Sequence, residues 1–177
     1  MRIVLHACCA PCSIQCVNSL RDESITPVLF WNNPNIHPLT EYQNRLEALK
    51  TYTQTEGVEA VWDVGVYGLR PFLSAVGSDF DNRCEKCYLM RLDAAAQYAR
   101  EHCFDGFSTT LLISPYQQHD RLRELGYQAS ERHSVSFVYR DFRPLFREGQ
   151  QAARKMGLYR QKYCGCVFSE EERYGKG

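Results

Sequence analysis

Arg2-Ile3-Val4-Leu5-His6-Ala7-Cys8-Cys9-Ala10-Pro11-Cys12-Ser13 opens the chain. Its first residues form a short apolar run with adjacent β-branched side chains, which predicts a buried strand. Pro11 then suits the first turn of a helix, where a missing N–H costs nothing. A strand passing directly into a helix starts an alternation that runs the length of the chain. Strands are expected over 2–7, 26–31, 58–64, 106–112 and 135–139. Helices are expected over 13–21, 40–56, 84–102, 115–125 and 144–156, with Ser114 as an N-cap. That alternation predicts an α/β Rossmannoid of the nucleotide-hydrolase-like or PP-loop-like kind, with helices on both faces of a parallel sheet. No repeat, low-complexity tract or linker interrupts it, so residues 1–177 are expected to form one domain, with segment 157–177 carrying a last cysteine motif.

In such folds ligands bind beyond the carboxyl ends of the strands. Phosphate-binding loops at that place use glycine, so that backbone amides can approach the oxygens. Here the loop reads Cys8-Cys9-Ala10-Pro11-Cys12, with no glycine. Thiols beside a helix N-terminus meet its positive end, which favours the thiolate. The loop is therefore expected to bind metal in place of a nucleotide.

Nine cysteines are many for 177 residues, and the number is odd. Neither an export signal nor a membrane span is recognisable: Ile3-Val4-Leu5 is far short of the roughly 20 apolar residues that a bilayer requires. A reducing cytoplasmic setting is expected, in which clustered thiols bind metal or carry electrons. Cys84 and Cys87 lie three apart and face the same way on a helix. With Cys8 and Cys9 they can supply four thiolates to one centre. Zinc suits such a set as well. Adjacent cysteines converging on a single small ion is awkward, which tilts the reading towards an iron–sulfur cluster. Cys12 can reach the same crevice, as a ligand of a second metal, a substrate contact or an unligated thiol. Cys16 and Cys103 fall on apolar helix stripes and are expected in the core.

Cys164-Gly165-Cys166 can close a tight, easily reduced disulfide, for which Gly165 supplies the backbone freedom. It reads as an electron relay, or as two surface thiols in a flexible tail. Asn33, Asn35 and His37 lie in a proline-bounded loop whose amides and imidazole suit a heterocyclic base, or serve ordinary turn chemistry. Gln117 and His119 are expected to face the same ligand. Basic and acidic residues balance at 21 each, so net charge names no partner, but residues 139–163 hold seven Lys or Arg against two acids. Within that stretch Arg160 and Tyr163, in Tyr159-Arg160-Gln161-Lys162-Tyr163, combine cation and ring in a way that suits RNA.

Six stretches together resemble one family, the epoxyqueuosine reductases of the QueH type. They are Leu5 to Ser13; Asn33 to Pro38 with Glu41, Tyr42 and Arg45; Arg83 to Tyr88 with Arg91 and Leu92; Ser108 to Pro115; Asp141-Phe142-Arg143; and Tyr159 to Cys166. The resemblance implies an enzyme of queuosine biosynthesis that removes the epoxide oxygen of epoxyqueuosine in a tRNA anticodon, without cobalamin. It implies a [4Fe–4S] cluster on Cys8, Cys9, Cys84 and Cys87, an additional iron for which Cys12 is the candidate ligand, and a redox-active Cys164–Cys166 pair fed by an unidentified electron donor. A cluster-bearing tRNA-thiolating enzyme, a non-enzymatic zinc module that docks RNA and a general thiol oxidoreductase are the alternatives. The first of them would need the glycine-rich ATP loop that this chain lacks.

Overall fold

The computed structural model describes residues 1–65 and 67–175. Its strands β1 (Arg2–His6), β2 (Thr26–Trp31), β3 (Ala60–Trp62), β4 (Gly106–Thr109) and β5 (Ser136–Phe137) pair in parallel in the order β3-β2-β1-β4-β5. In the central pairs Val4 lies opposite Val28 and Phe107, and His6 opposite Phe30 and Thr109. Ile3, Val4, Leu5 and His6 are fully buried, as expected of a central parallel strand covered on both faces. His6 is the polar exception. Its Nδ1 lies 3.1 Å from Thr109 Oγ1 and its Nε2 3.2 Å from Asn33 Oδ1, which ties together the carboxyl ends of β1, β2 and β4.

Among the described residues there are seven α-helices: α1 (Ala10–Asp22), α2 (Leu39–Glu56), α3 (Leu69–Val76), α4 (Arg83–Glu101), α5 (His119–His133), α6 (Phe146–Lys155) and α7 (Val167–Tyr174). The β1–α1–β2 and β3–α4–β4 connections run in opposite directions along the sheet, and the right-handed rule for such crossovers puts α1 and α4 on opposite faces. On one side α1 packs against α6 and α2; on the other, α4 packs against α5 and β4. Pro11 does stand in the first turn of α1, and Cys16, Val17 and Leu20 form its buried stripe. In α2 the buried stripe contains Glu41 and Arg45 besides Leu46, Leu49 and Tyr52, so two charges lie where apolar residues are the rule.

Several expectations are corrected. The strand expected to reach Leu112 ends at Thr109, whose Oγ1 accepts from Leu111 N at 3.2 Å and starts a 3-10 turn over Thr110–Ile113. Ser114 does not cap a helix at Pro115. Its Oγ accepts from Tyr116 N at 3.3 Å, holding a turn, and α5 begins only at His119. β3 is three residues long where seven were expected. Cys103 is exposed, because α4 ends at Glu101 and Cys103 turns the chain with a φ of 55°. Helices α3 and α7 lie in stretches for which no element was expected. The last two residues of the 157–177 segment fall outside the described residues.

Candidate metal centre and substrate cavity

The strand order reverses direction between β1 and β4: β1 leads away to β2, and β4 leads the other way to β5. Ligand crevices form at such switch points. Here a cavity of about 540 Å³ lies against the end of β1 and the turns after β4, with Cys8, Cys12, Gln117, Gln161, Tyr163 and Cys164 among its walls.

Cys8, Cys9 and Cys12 are all buried, and their sulfurs lie within 4.8 Å of one another. The adjacent pair does converge, with Cys8 Sγ 3.9 Å from Cys9 Sγ. Cys12 joins the same group, and the three sulfurs lie close enough together to hold a metal ion. Hydrogen bonds from Cys12 and Cys9 hold the Cys8 thiol well below its usual range, helped by the charges of Arg91 and Arg45. Burial pushes Cys9 up, and the hydrogen bond to Cys8 pushes Cys12 up. Three clustered, buried sulfur donors are the donor chemistry of a soft-metal site. Gln161 adds an amide donor, its Nε2 lying 2.9 Å from Cys9 Sγ.

Cys84 and Cys87 occupy the first turn of α4, outside that compact group. Cys87 is buried, and burial pushes its thiol up to about 12. Arg91, one helical turn on, donates from Nη2 to Cys87 Sγ and from Nε to Cys87 O, both at 3.1 Å. Burial opposes the charge of Arg91, but its interactions with the Cys87 and Cys8 sulfurs outweigh that and hold its affinity for protons above the usual arginine range. One cation therefore serves both thiol pairs. Cys84 is half-buried and is raised by burial, then by the charge of Cys164.

The Cys164-Gly165-Cys166 turn is fixed through its main chain. Arg45, almost fully buried, donates from Nη1 to Cys164 O and from Nη2 to Tyr163 O, both at 2.9 Å. Its Nε holds Glu41 Oε1 at 2.6 Å, and Tyr159 donates its hydroxyl to the other oxygen of Glu41. His37 N donates to Gly165 O at 2.7 Å, and Tyr163 returns its hydroxyl to His37 O at 2.5 Å. Gly165 has a φ of 137°, and a Cβ there would sit 3.2 Å from Arg45 Nη1. Glycine is needed on both counts.

The two thiols differ. Cys164 is exposed at the cavity and accepts from Gln117 Nε2 at 3.4 Å. Tyr88 donates its hydroxyl to Gln117 Oε1 at 2.8 Å, which turns the amide nitrogen towards the sulfur. Cys166 is buried in a small cluster with Phe72, Val76 and Cys87, and its sulfur accepts from Ser169 N at 3.4 Å at the start of α7.

Of the other residues singled out in the sequence, Gln117, Arg160 and Tyr163 line the cavity. Asn33, Asn35, His37 and His119 are buried in the framework around it. Asn33 Nδ2 holds Ala7 O at 2.9 Å, His37 Nε2 holds Pro34 O at 2.9 Å, and His119 Nε2 meets Tyr139 Oη at 2.9 Å. Burial lowers His37 to about 4, so its ring is neutral near pH 7. Arg45, Arg91, Tyr88 and Tyr116 carry parts of the site to which no role was expected. A signal existed for two of them: Glu41/Arg45 and Cys87/Arg91 are both i,i+4 pairs on apolar helix stripes.

The family model described as "Epoxyqueuosine reductase QueH" matches residues 3–172. The chain belongs to the QueH family. Curated relatives of that name include the protein from Dehalococcoides mccartyi, 35% identical over 99% of this chain and 96% of that one. The QueH protein from Thermotoga maritima is 34% identical over 98% of this chain and 93% of its own length. Among solved structures, a protein from Methanocaldococcus jannaschii described as a predicted subunit of tRNA methyltransferase superposes with a TM-score of 0.52 at 10% identity, covering 90% of each chain. That likeness shows the α/β fold, which this QueH-family chain shares.

Proposed function

We propose that the chain reductively removes the epoxide oxygen of epoxyqueuosine in tRNA, giving queuosine, without cobalamin. The observation that carries this reading is the buried Cys8/Cys9/Cys12 group opening into the cavity that also exposes Cys164. The donor set fits a thiolate-bound metal: its sulfurs are buried, Gln161 donates to Cys9, and the charges of two buried cations, Arg91 and Arg45, lower the Cys8 thiol. Cys8, Cys9, Cys84 and Cys87 would hold a [4Fe–4S] cluster, with Cys12 placed for an additional iron. When bound, this group supplies single-electron transfer and a Lewis acid for the epoxide oxygen.

The rest follows from the chain's own residues. Opening an epoxide to an alkene consumes two electrons and two protons and releases water. Oxidation of the Cys164/Cys166 dithiol to a disulfide yields two electrons and two protons, so the step balances. Cys164 faces the cavity and Cys166 the buried side, towards Cys87. An external electron donor then restores the dithiol. His37 and His119 serve as framework in this reading, since both rings are buried and bonded within the protein.

The test is anaerobic incubation of the reconstituted protein with epoxyqueuosine-containing tRNA and a reductant, read by nucleoside mass spectrometry. Loss of one oxygen is the expected result, and no loss under any reducing condition overturns the proposal. Cys164→Ser and Cys166→Ser should each abolish multiple turnover. The compactness of Cys8, Cys9 and Cys12 favours a second reading, a single zinc ion in a module that docks RNA without catalysis. A colourless anaerobic preparation with zinc and no sulfide would establish it.

A further inference from the structure

Tyr116 is 84% exposed, the most exposed large hydrophobic side chain among the described residues, and it stands on the cavity wall. Its position is fixed. Ser114 Oγ holds its amide, and the ring packs edge-on to Phe146, with centroids 5.9 Å apart and an interplanar angle of 83°. A ring so exposed must leave a face uncovered. The same wall carries Arg45, Arg160, Lys162 and Arg173 and no Asp or Glu. Arg45 is neutralised by Glu41, whereas Arg160, Lys162 and Arg173 form no ion pair among the described residues.

A fixed, open aromatic face beside unpaired cations is the combination that binds single-stranded nucleic acid. Rings stack on bases without reading sequence, and cations follow the phosphates. The cavity falls in the size range of small-molecule sites, room for one nucleoside and not for a strand. Tyr116 is at its exposed margin, where the nucleotide next to the reacting one would pass.

We infer that Tyr116 is a stacking platform for the RNA base adjacent to the reacting nucleoside, and that Arg160, Lys162 and Arg173 hold the flanking phosphates. This rests on the proposed action on tRNA, yet the contact is measurable without turnover. The protein is a reader of the splayed strand as well as of the nucleoside in its cavity.

The experiment measures binding of a fluorescent anticodon stem-loop RNA to the metal-loaded full chain by anisotropy. Tyr116→Ala should weaken binding about tenfold, within the range for losing one base stack, and Tyr116→Phe should leave it unchanged. Removing the base 5′ or 3′ of the reacting position should, on one side only, abolish the difference between wild type and Tyr116→Ala. Arg160→Gln, Lys162→Gln and Arg173→Gln should each flatten the plot of log K against log salt by about 0.7. In turnover, Tyr116→Ala should raise KM with little change in kcat. Equal binding by wild type and Tyr116→Ala overturns the platform. So does an equal loss in Tyr116→Phe, or a defect that survives both base removals. If these binding effects hold while no oxygen is lost from the nucleoside, the platform stands and the reductase proposal falls.

Discussion

At the scale of single residues, Arg45 organises the site. It joins the buried carboxylate of Glu41 to the carbonyls of Tyr163 and Cys164. Removing it leaves that carboxylate without its cation, bonded only by Tyr159, and takes the Arg45 donor from both carbonyls. Arg45→Ala should therefore cost about 3–5 kcal/mol of stability in urea denaturation, with Arg45→Lys intermediate because one ammonium cannot span the three acceptors. The unequal surroundings of Cys164 and Cys166 lead to a second expectation. In the dithiol form Cys164 should alkylate about tenfold faster than Cys166, because one sulfur is exposed and the other packed beside Phe72 and Val76. Site-resolved mass spectrometry checks this, and equal rates would remove the asymmetry. The cysteines were legible as letters, and the crevice was expected from the strand ends, one of which carries Cys8 and Cys9. For Arg45 and Arg91 the i,i+4 spacing on an apolar stripe was a signal of burial, but what Arg45 holds was not legible, because its carbonyl partners lie more than a hundred positions away.

Among the elements, helices with long apolar stripes were legible, as was the ten-residue α6, whereas the eight-residue α3 and α7 were not. α1, α2 and α4 repeat apolar residues over three or more turns. α3 has eight residues, and α7 begins with a cysteine sulfur in the role usually taken by a hydroxyl or carboxylate. The displaced start of α5 has a local cause: the Thr109 and Ser114 hydroxyls accept from the amides of Leu111 and Tyr116 and favour turns where the pattern alone continues a strand and begins a helix. Packing of α6 on α1 makes a prediction at this scale. A Cβ on Gly149 would lie 2.8 Å from Pro11 O, a backbone atom just before Cys12. Gly149→Ala should push the helices apart, lower stability by about 1–3 kcal/mol and loosen the edge contact of Phe146 with Tyr116. Thermal melts and stem-loop binding measure the two effects. A variant as stable as wild type would show that α6 can shift freely.

For the whole molecule, the alternation of strands and helices carried the fold class, but it does not determine strand order. The reversal between β1 and β4, which sets where the cavity forms, comes from which crossovers pack on which face. The same burial that builds the framework makes it sensitive to acid. His37 is held neutral, with its affinity for protons lowered from 6.5 to about 4. An unfolded chain takes up that proton below pH 6.5 while the native one does not, so this residue costs stability as pH falls from 6.5 towards 4 and nothing above that window. The slope should approach about 1.4 kcal/mol per pH unit. His37→Gln, compared with wild type at equal metal content, should be flatter by that amount over the window and parallel above it. Identical slopes would show that His37 protonates in place.

Three successive carbonyls, those of Tyr163, Cys164 and Gly165, are tied down by Arg45 and by the amide of His37. None of these ties touches the side chain at position 164. The turn is moored by its peptide groups, so exchanging sulfur for oxygen at that position alters reactivity and leaves the mooring untouched. A serine at position 164 should thus yield a protein of near-native shape, and whatever chemistry disappears with the sulfur can be ascribed to the sulfur.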